Sequence, residues 1–393
     1  MKEREVIDRL RAAFPDSGIG DDTAVLPGST ALYGGGVGRQ GGDTGPHGGG
    51  ARRTGGEADL LFASDAIVEG VHFRRETSTL SQAIQKLVTS NVSDVYAMGG
   101  KPAAIVFTAA LSSGTSPEDL DQIVDGLKRA CNQYKVKLAG GDTVWNPTGL
   151  VFDVAIVGTV AKGRAIRRSG AQAGDRIVLF GEIGLSLAGL SVVSAACGRR
   201  MEKGVLPPAP ALRSALAAAP RIKDVLHELV LSTTSKALAE LGARFKTLPH
   251  APDVMRFAKQ HLVPLAAPLD TSILDHPQPL ITSMMDISDG LAKDLRTLCV
   301  ESGVGALVRE ESLPVPAGIG KMFGLGGSEL IDFAISSGEE YVLLATARGR
   351  AVKAAFPGGT VIGSIVPANE GIILIDEKDK WRTLPELGYE HSF

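Results

Sequence analysis

The stretch LAGGDTVW, Leu138–Trp145, decides how this chain is read. Its leading residues complete VKLA, Val136–Ala139, which predicts a strand that delivers the tetrapeptide GGDT. Upstream, SPED at Ser116–Asp119 predicts a helix start, with a serine cap, a proline in the first turn and two acids facing the helix dipole. That helix runs to about Tyr134. Downstream, LVFDVAIVGTV at Leu150–Val160 predicts a further strand. The same GGDT letters also stand at Gly41–Thr44, inside a segment from Gly34 to Gly56 in which about half the residues are glycine. That segment buries too little apolar surface to offset the entropy of ordering it, and it is expected to be a flexible surface loop. Context separates the two copies: Asp142 is the candidate for chemistry, Asp43 for solvent.

A chain of 393 residues suits two domains better than one. With 44% hydrophobic and 22% charged residues, its composition is that of a soluble globular protein. A net charge of −3 supplies no general attraction to nucleic acid or to an anionic membrane, so any bound anion must be handled locally. Cys131, Cys197 and Cys299 share no metal-ligand spacing and are expected to be buried reduced thiols. The opening MKEREVIDRLRAAF is charged throughout, unlike a signal peptide, and no apolar run spans a bilayer, so the expected location is cytoplasmic.

Strands and helices alternate along the chain, which predicts an α/β protein of mixed layers. A short amphipathic helix opens it through Val6, Ile7, Leu10 and Phe14, and Thr23–Leu26 is the first strand candidate. Leu60–Ser64 is expected to run as a strand into Asp65, a helix to begin near Ser81, and a buried strand to begin near Ala103. The first domain is expected to end near residue 160, dividing the chain into 1–160 and 161–393. The second opens with a strand at Arg176–Phe180 and a helix through Leu190 and Val193. Residues 199–280 have no clear pattern. Beyond Met284 a helix is expected from Asp289, with strands near Tyr341–Leu344 and Gly371–Ile375.

Aspartate recurs beside glycine or a small hydroxyl residue: Gly18–Asp22, Ala63–Asp65, Asn91–Asp94, Gly140–Thr143 and Asp286–Gly290. One such site is ordinary turn chemistry. Five placed at expected element boundaries suggest convergence, and converging carboxylates repel: two unit charges ~4 Å apart cost about 4 kcal/mol at an effective dielectric of 20. If they converge they call for cations, and Mg²⁺ held by carboxylates in turn carries phosphate. Standard nucleotide motifs are missing. There is no P-loop, and the GxGxxG match at Gly36–Gly41 follows no strand and opens no helix. His72 lies just after Asp65, where a structural role and a substrate role are both open.

Taken in order, GIGDDTAVL, SDAIVEGVHF, NVSDVYAMG, GGDT, RSGA at Arg168–Ala171, MDISDGL, SGEEY at Ser337–Tyr341 and the ending GYEHSF resemble the thiamine-monophosphate kinase family, within the aminoimidazole ribonucleotide synthetase superfamily. The resemblance spans nearly the whole chain apart from the glycine loop and much of 199–280. It implies a two-domain fold whose N-terminal domains dimerise through a β-barrel. It also implies direct phosphorylation of thiamine monophosphate by ATP with several Mg²⁺ ions, and it leaves a K⁺ requirement open. By motif match, Asp22, Ser64, Asp65, Asp94, Asp142, Asp286 and Asp289 would hold metal. Gly141, Asp142, Arg168 and Ser288 would contact ATP, with Asp142 and Arg168 as the catalytic pair. His72, Glu339 and Phe393 would contact the thiamine substrate. The chain departs from the family pattern at Ala63, Leu185, Glu340 and the inserted Ser392.

Two other functions remain in view. One is another ATP-using member of the superfamily, such as the aminoimidazole ribonucleotide or selenophosphate synthetases; no cysteine precedes Cys131, against the selenium enzyme. The other is a non-catalytic nucleotide-binding relative, which loss of a metal-type aspartate would favour; none is lost.

Overall fold

The computed structural model describes residues 9, 12–13, 21–26, 58–199, 205–218, 248–274, 280–348 and 356–391. The glycine-rich 34–56, Gly18–Gly20, Ser392 and Phe393 lie outside them, as does most of the opening helix, of which Arg9, Ala12 and Ala13 are described and helical. The expectations placed on the other residues of these segments therefore fall outside the described structure.

The N-terminal part is a five-stranded sheet built from β1 (Ala24–Leu26), β2 (Ala58–Val68), β3 (Lys101–Leu111), β4 (Lys137–Trp145) and β5 (Val151–Ala161), in the order β1-β2-β5-β3-β4. Helices α1 (Leu80–Ala97) and α2 (Pro117–Tyr134) follow β2 and β3. Strands β3 and β4 run parallel, so a crossover must join them, and α2 is that crossover. Its start follows from the sequence. Ser116 accepts from the Asp119 amide while Asp119 accepts from the Ser116 amide, a complete capping box. Strand β5 alternates with period two: Phe152, Val154 and Ile156 are buried beneath α1, whereas Asp153, Ala155 and Val157 face the other way. That other face of the sheet is left open.

The C-terminal part is a seven-stranded sheet of β6 (Arg176–Phe180), β7 (Ile281–Asp286), β8 (Val304–Arg309), β9 (Leu343–Ala347), β10 (Thr360–Pro367), β11 (Ile372–Ile375) and β12 (Trp381–Thr383), ordered β12-β11-β8-β10-β6-β9-β7. Helices α3 (Leu185–Ala196), α4 (Pro210–Ala218), α5 (Ala251–Leu262), α6 (Thr271–Leu274), α7 (Leu291–Ser302), α8 (Ala317–Phe323) and α9 (Gly327–Ile335) accompany it. Leu291, Leu295 and Leu298 of α7 pack on the sheet, and α3 packs on α5 in a separate apolar cluster.

The two parts are joined by buried polar contacts. Tyr134 accepts from the Ala266 amide, and Thr89 donates to the Pro264 carbonyl, with the two hydroxyls 2.9 Å apart.

The expectations for three aspartates and two cysteines are corrected. Asp65 lies within β2, Asp142 lies within β4, and Asp94 lies within α1, so none of the three marks an element end. The GGDT glycines permit strand β4 to continue. A side chain at Gly141 would start 2.0 Å from the Phe107 carbonyl oxygen, and the register slips by one residue just before it. Cys131 and Cys197 are half-buried rather than buried; only Cys299 is buried, and burial pushes its thiol up to about 12. Among the described residues no sheet closes into a barrel. No helix among them is long and apolar enough to cross a membrane.

The capping box carries a testable cost. Ser116→Ala is expected to destabilise the protein by about 1 kcal/mol, read as a lower urea midpoint with an unchanged slope.

Candidate active site

Asp22, Asp94 and Asp286 come from three distant parts of the chain and offer carboxylate oxygens that all lie within 4.8 Å of one another. Asp22 stands just before β1, Asp94 is in the last turn of α1, and Asp286 is the last residue of β7. Burial is the leading influence on all three. It lifts Asp22 above the ordinary carboxylate range even with Arg168 beside it, and it lifts Asp94 well above. Asp286 is pushed up to about 7, again by burial first and then by Asp22, against a 2.5 Å hydrogen bond from Ser93. Asp22 Oδ2 and Asp286 Oδ1 are buried acceptors with no hydrogen-bond partner. A buried oxygen without a partner costs free energy unless a cation or donor reaches it. A hard divalent cation bound by oxygen ligands fits this donor set.

Arg168 reaches into the same place, its Nε 3.0 Å from Asp22 Oδ1. Burial works against its charge, but Asp22, Asp286 and Asp94 outweigh it, so the guanidinium is held more firmly protonated than usual. The adjacent loop Ser288–Gly290 is pinned by one atom. Asp294 Oδ2 accepts the amides of Ser288, Asp289 and Gly290, each at 3.1 Å. Asp289 itself pairs with Lys293 at 2.6 Å. Asp65 lies on the α1 side of β2, with its carboxylate raised by burial against a hydrogen bond from Ser90. Asp153, Asp289 and Asp22 act on it in the same direction as burial.

Asp142 is not brought to these acids. In the sheet Ala66, Asp153, Thr108 and Asp142 form one row across β2, β5, β3 and β4. Directly paired residues share a face, and successive residues alternate. Asp142 therefore faces the open side with Asp153 and Ser64, while Asp65 faces α1. Three strand spacings, roughly 14 Å, separate β4 from β2. Ser64 Oγ donates to Asp153 Oδ2 at 2.9 Å, a pairing the sequence motifs did not single out.

His72 and Glu339 occupy a second locality. His72 follows β2 in a tight turn, and its Nδ1 accepts from the Val68 amide at 3.0 Å, which leaves the proton of the neutral ring on Nε2. Glu339 pairs across the two parts with Lys86 of α1 at 2.7 Å, and His261 Nδ1 lies 3.6 Å away. Burial pushes His261 well below its usual range. His72, Phe73, Thr77, Ser78, Lys86 and His261 line a small pocket beside this ion pair. Glu339 and Tyr341 hold positive φ of 57° and 52°, a strained turn fixed by the Glu339 amide donating to Ser288 O and the Tyr341 amide to Ile287 O. The turn therefore links the pocket to the loop held by Asp294.

Sequence reasoning missed Lys86, Ser90 and Ser93. The signal was available: with Asp94 they recur three or four residues apart, a polar line along a helix that is otherwise buried. Lys86, with a side chain 7% exposed, is on that line.

Residues 20–160 match the family model of the AIR synthase related protein, N-terminal domain. The fold resembles that of AaThiL complexed with AMPPCP and TMP, with a TM-score of 0.67 at 24% identity over 100% of this chain and 97% of that one. Fold and acid cluster together define an AIR synthase-like protein. The thiamine-monophosphate kinase of Synechococcus elongatus is 31% identical over 72% of this chain and 71% of its own. That of Leptospira interrogans is 27% identical over 85% and 90%. The chain belongs to the thiamine-monophosphate kinase family.

The raised carboxylates predict a pH dependence. Asp286 and Glu340 titrate near 7 when folded, both raised by burial, whereas unfolded carboxylates ionise near 4. Between those values the unfolded state binds fewer protons, so stability falls as pH rises from about 4 to about 7. Thermal melting in EDTA should show that decline. Added Mg²⁺ should stabilise more at pH 8 than at pH 6, and equal stabilisation at both would argue against a metal on ionised Asp286.

Proposed function

We propose that this protein transfers the γ-phosphoryl group of ATP to the phosphate of thiamine monophosphate, giving thiamine diphosphate and ADP, by direct in-line displacement assisted by several Mg²⁺ ions. The observation that carries the reading is the convergence of Asp22, Asp94 and Asp286 with partnerless oxygens, in a chain of this family. An acceptor phosphate oxygen forms the new bond to the γ-phosphorus as the bond to the β–γ bridging oxygen breaks. A phosphate monoester has its second pKa near 6, so at neutral pH most of the acceptor is already the dianion and no general base is needed. The obstacle is bringing two polyanions together, which calls for positioning and positive charge.

In this reading Asp22, Asp94 and Asp286 hold metal, with Asp65 and Asp289 beside them, and Ser64 and Asp142 serve the open side of the sheet. Bound Mg²⁺ would supply charge neutralisation along the phosphates. Arg168 contributes a fixed cation, its charge secured by the surrounding acids. Gly141 and Ser288 approach the nucleotide by backbone and hydroxyl. His72 and Glu339, with Phe393, take the thiamine end. A K⁺ requirement is tested by varying the monovalent salt in the same assay.

A homodimer through the N-terminal sheet is part of the proposal. Edge strand β4 is exposed along its whole length, and Leu138, Val144 and Trp145 stand on it, the last 71% exposed. A long edge strand with exposed apolar side chains favours pairing with another copy, and pairing there would enclose Asp142.

Purified protein with Mg-ATP should convert thiamine monophosphate to the diphosphate, with ADP formed one for one and all turnover lost in EDTA. Absence of turnover, with another phosphorylated acceptor used instead, would turn the reading towards a different member of the superfamily. Asp94→Asn should lower kcat on the order of 10²-fold or more while far-ultraviolet circular dichroism stays unchanged. Light scattering should give twice the chain mass, and a monomer would remove the dimer from the proposal.

A further inference from the structure

The described end of the chain, Gly388–His391, has no regular secondary structure, yet it is fixed at both ends. At one end the Tyr389 amide donates to Asp289 O at 2.9 Å, and Lys293 Nζ donates to Tyr389 O at 2.7 Å. Gly388 makes this approach possible. It sits at φ +118°, and a side chain there would start 2.8 Å from both Asp289 O and Lys293 Cβ. At the other end the rings of Tyr389 and His391 meet edge to face, 4.8 Å apart at 87°, with Tyr389 Oη 3.3 Å from His391 Nδ1. The His391 ring then meets the ring of His72, centroid to centroid 5.3 Å at 56°. The tail thus runs from the Asp289 loop of one part of the molecule to the imidazole of the other.

Among the described residues, the hydrogen bond that holds the His72 ring is the one its Nδ1 accepts from the Val68 amide. One hydrogen bond in the ring plane leaves the tilt of that plane free, and a second ring in tilted contact with it restricts that freedom. We propose that His391 is the positioning residue for His72 in the acceptor site, and that the tail ties that imidazole to the loop carrying Ser288 and Asp289. The inference rests on the reading in which His72 touches the acceptor. Its consequence is specificity: the direction of the Nε2–H donor is set by the C-terminal tail.

The groups that face His72 are His391, Glu339 and Lys86. Burial lowers the His72 imidazole first, the charges of His391 and Lys86 lower it further, and Glu339 opposes them. The test uses the full chain with His391→Ala and His391→Phe. The His72 resonance is followed by NMR in the free protein and identified by its loss in His72→Gln. Both variants should move the His72 titration midpoint upward. His391→Ala should raise the KM for thiamine monophosphate roughly three- to tenfold, the size expected of a lost ring contact, and leave the KM for ATP unchanged. His391→Phe should recover most of that loss, because a ring again packs on His72. An unmoved His72 titration in both variants overturns the proposal. So does an equal rise of both KM values with a lowered Tm, which would make the tail part of the general fold. If the wild-type chain does not use thiamine monophosphate, the proposed function fails, and the His72 titration still decides whether His391 governs that ring.

Discussion

Mutual repulsion among Asp22, Asp94 and Asp286 is the constraint around which the rest of the structure is arranged. Three carboxylates with oxygens inside 4.8 Å, two of them on buried residues and the third, Asp94, half-buried, oppose folding unless charge or protons compensate. The protein responds in two ways. Arg168 brings a guanidinium to Asp22, and the carboxyl groups of Asp94 and Asp286 take up protons far more readily than exposed ones do. Neither satisfies Asp22 Oδ2 or Asp286 Oδ1. The site is therefore costly to assemble and receptive to cations, and its place between the two parts ties that cost to their docking.

The docking is made by polar groups that find their partners across the contact between the two parts. Ser93 donates to Asp286, Lys86 pairs with Glu339, and Thr89 and Tyr134 satisfy the backbone at Pro264 and Ala266. Separation would exchange each of these bonds for one to water, at a net cost of about 1 kcal/mol each. The strained Glu339 and Tyr341 backbone is held by the same arrangement, through amides donating to Ser288 and Ile287. Helix α1 acts as the hub: its apolar stripe holds the N-terminal sheet, and its polar line faces the other half.

How much of this was legible depended on the range of the interactions. The α2 boundaries followed from Ser116, Pro117 and Asp119, since capping is local and its partners lie within one turn. Strand β6 was legible as an apolar run. The ends of β2 and β4 were not. The glycines of GGDT look like a strand end, but the ladder to β3 carries the strand through them, and Gly141 is tolerated because only a bare Cα fits against Phe107. Lys86 was overlooked because its partner lies 253 residues away.

By itself the sequence determined the alternation of strand and helix, the family, and the identity of the acids, because these depend on local pattern and on motif order. Only the tertiary structure decided which acids meet. Asp22, Asp94 and Asp286 converge because the end of β7 is brought against α1 and the start of β1. Asp142, whose motif looked equivalent, stands on the open face of the same sheet as Asp65. The physical reason is the alternation of side chains along a strand. Ser64 and Asp65 are neighbours in the chain but face opposite sides, and no spacing between motifs reveals which side the rest of the molecule will cover.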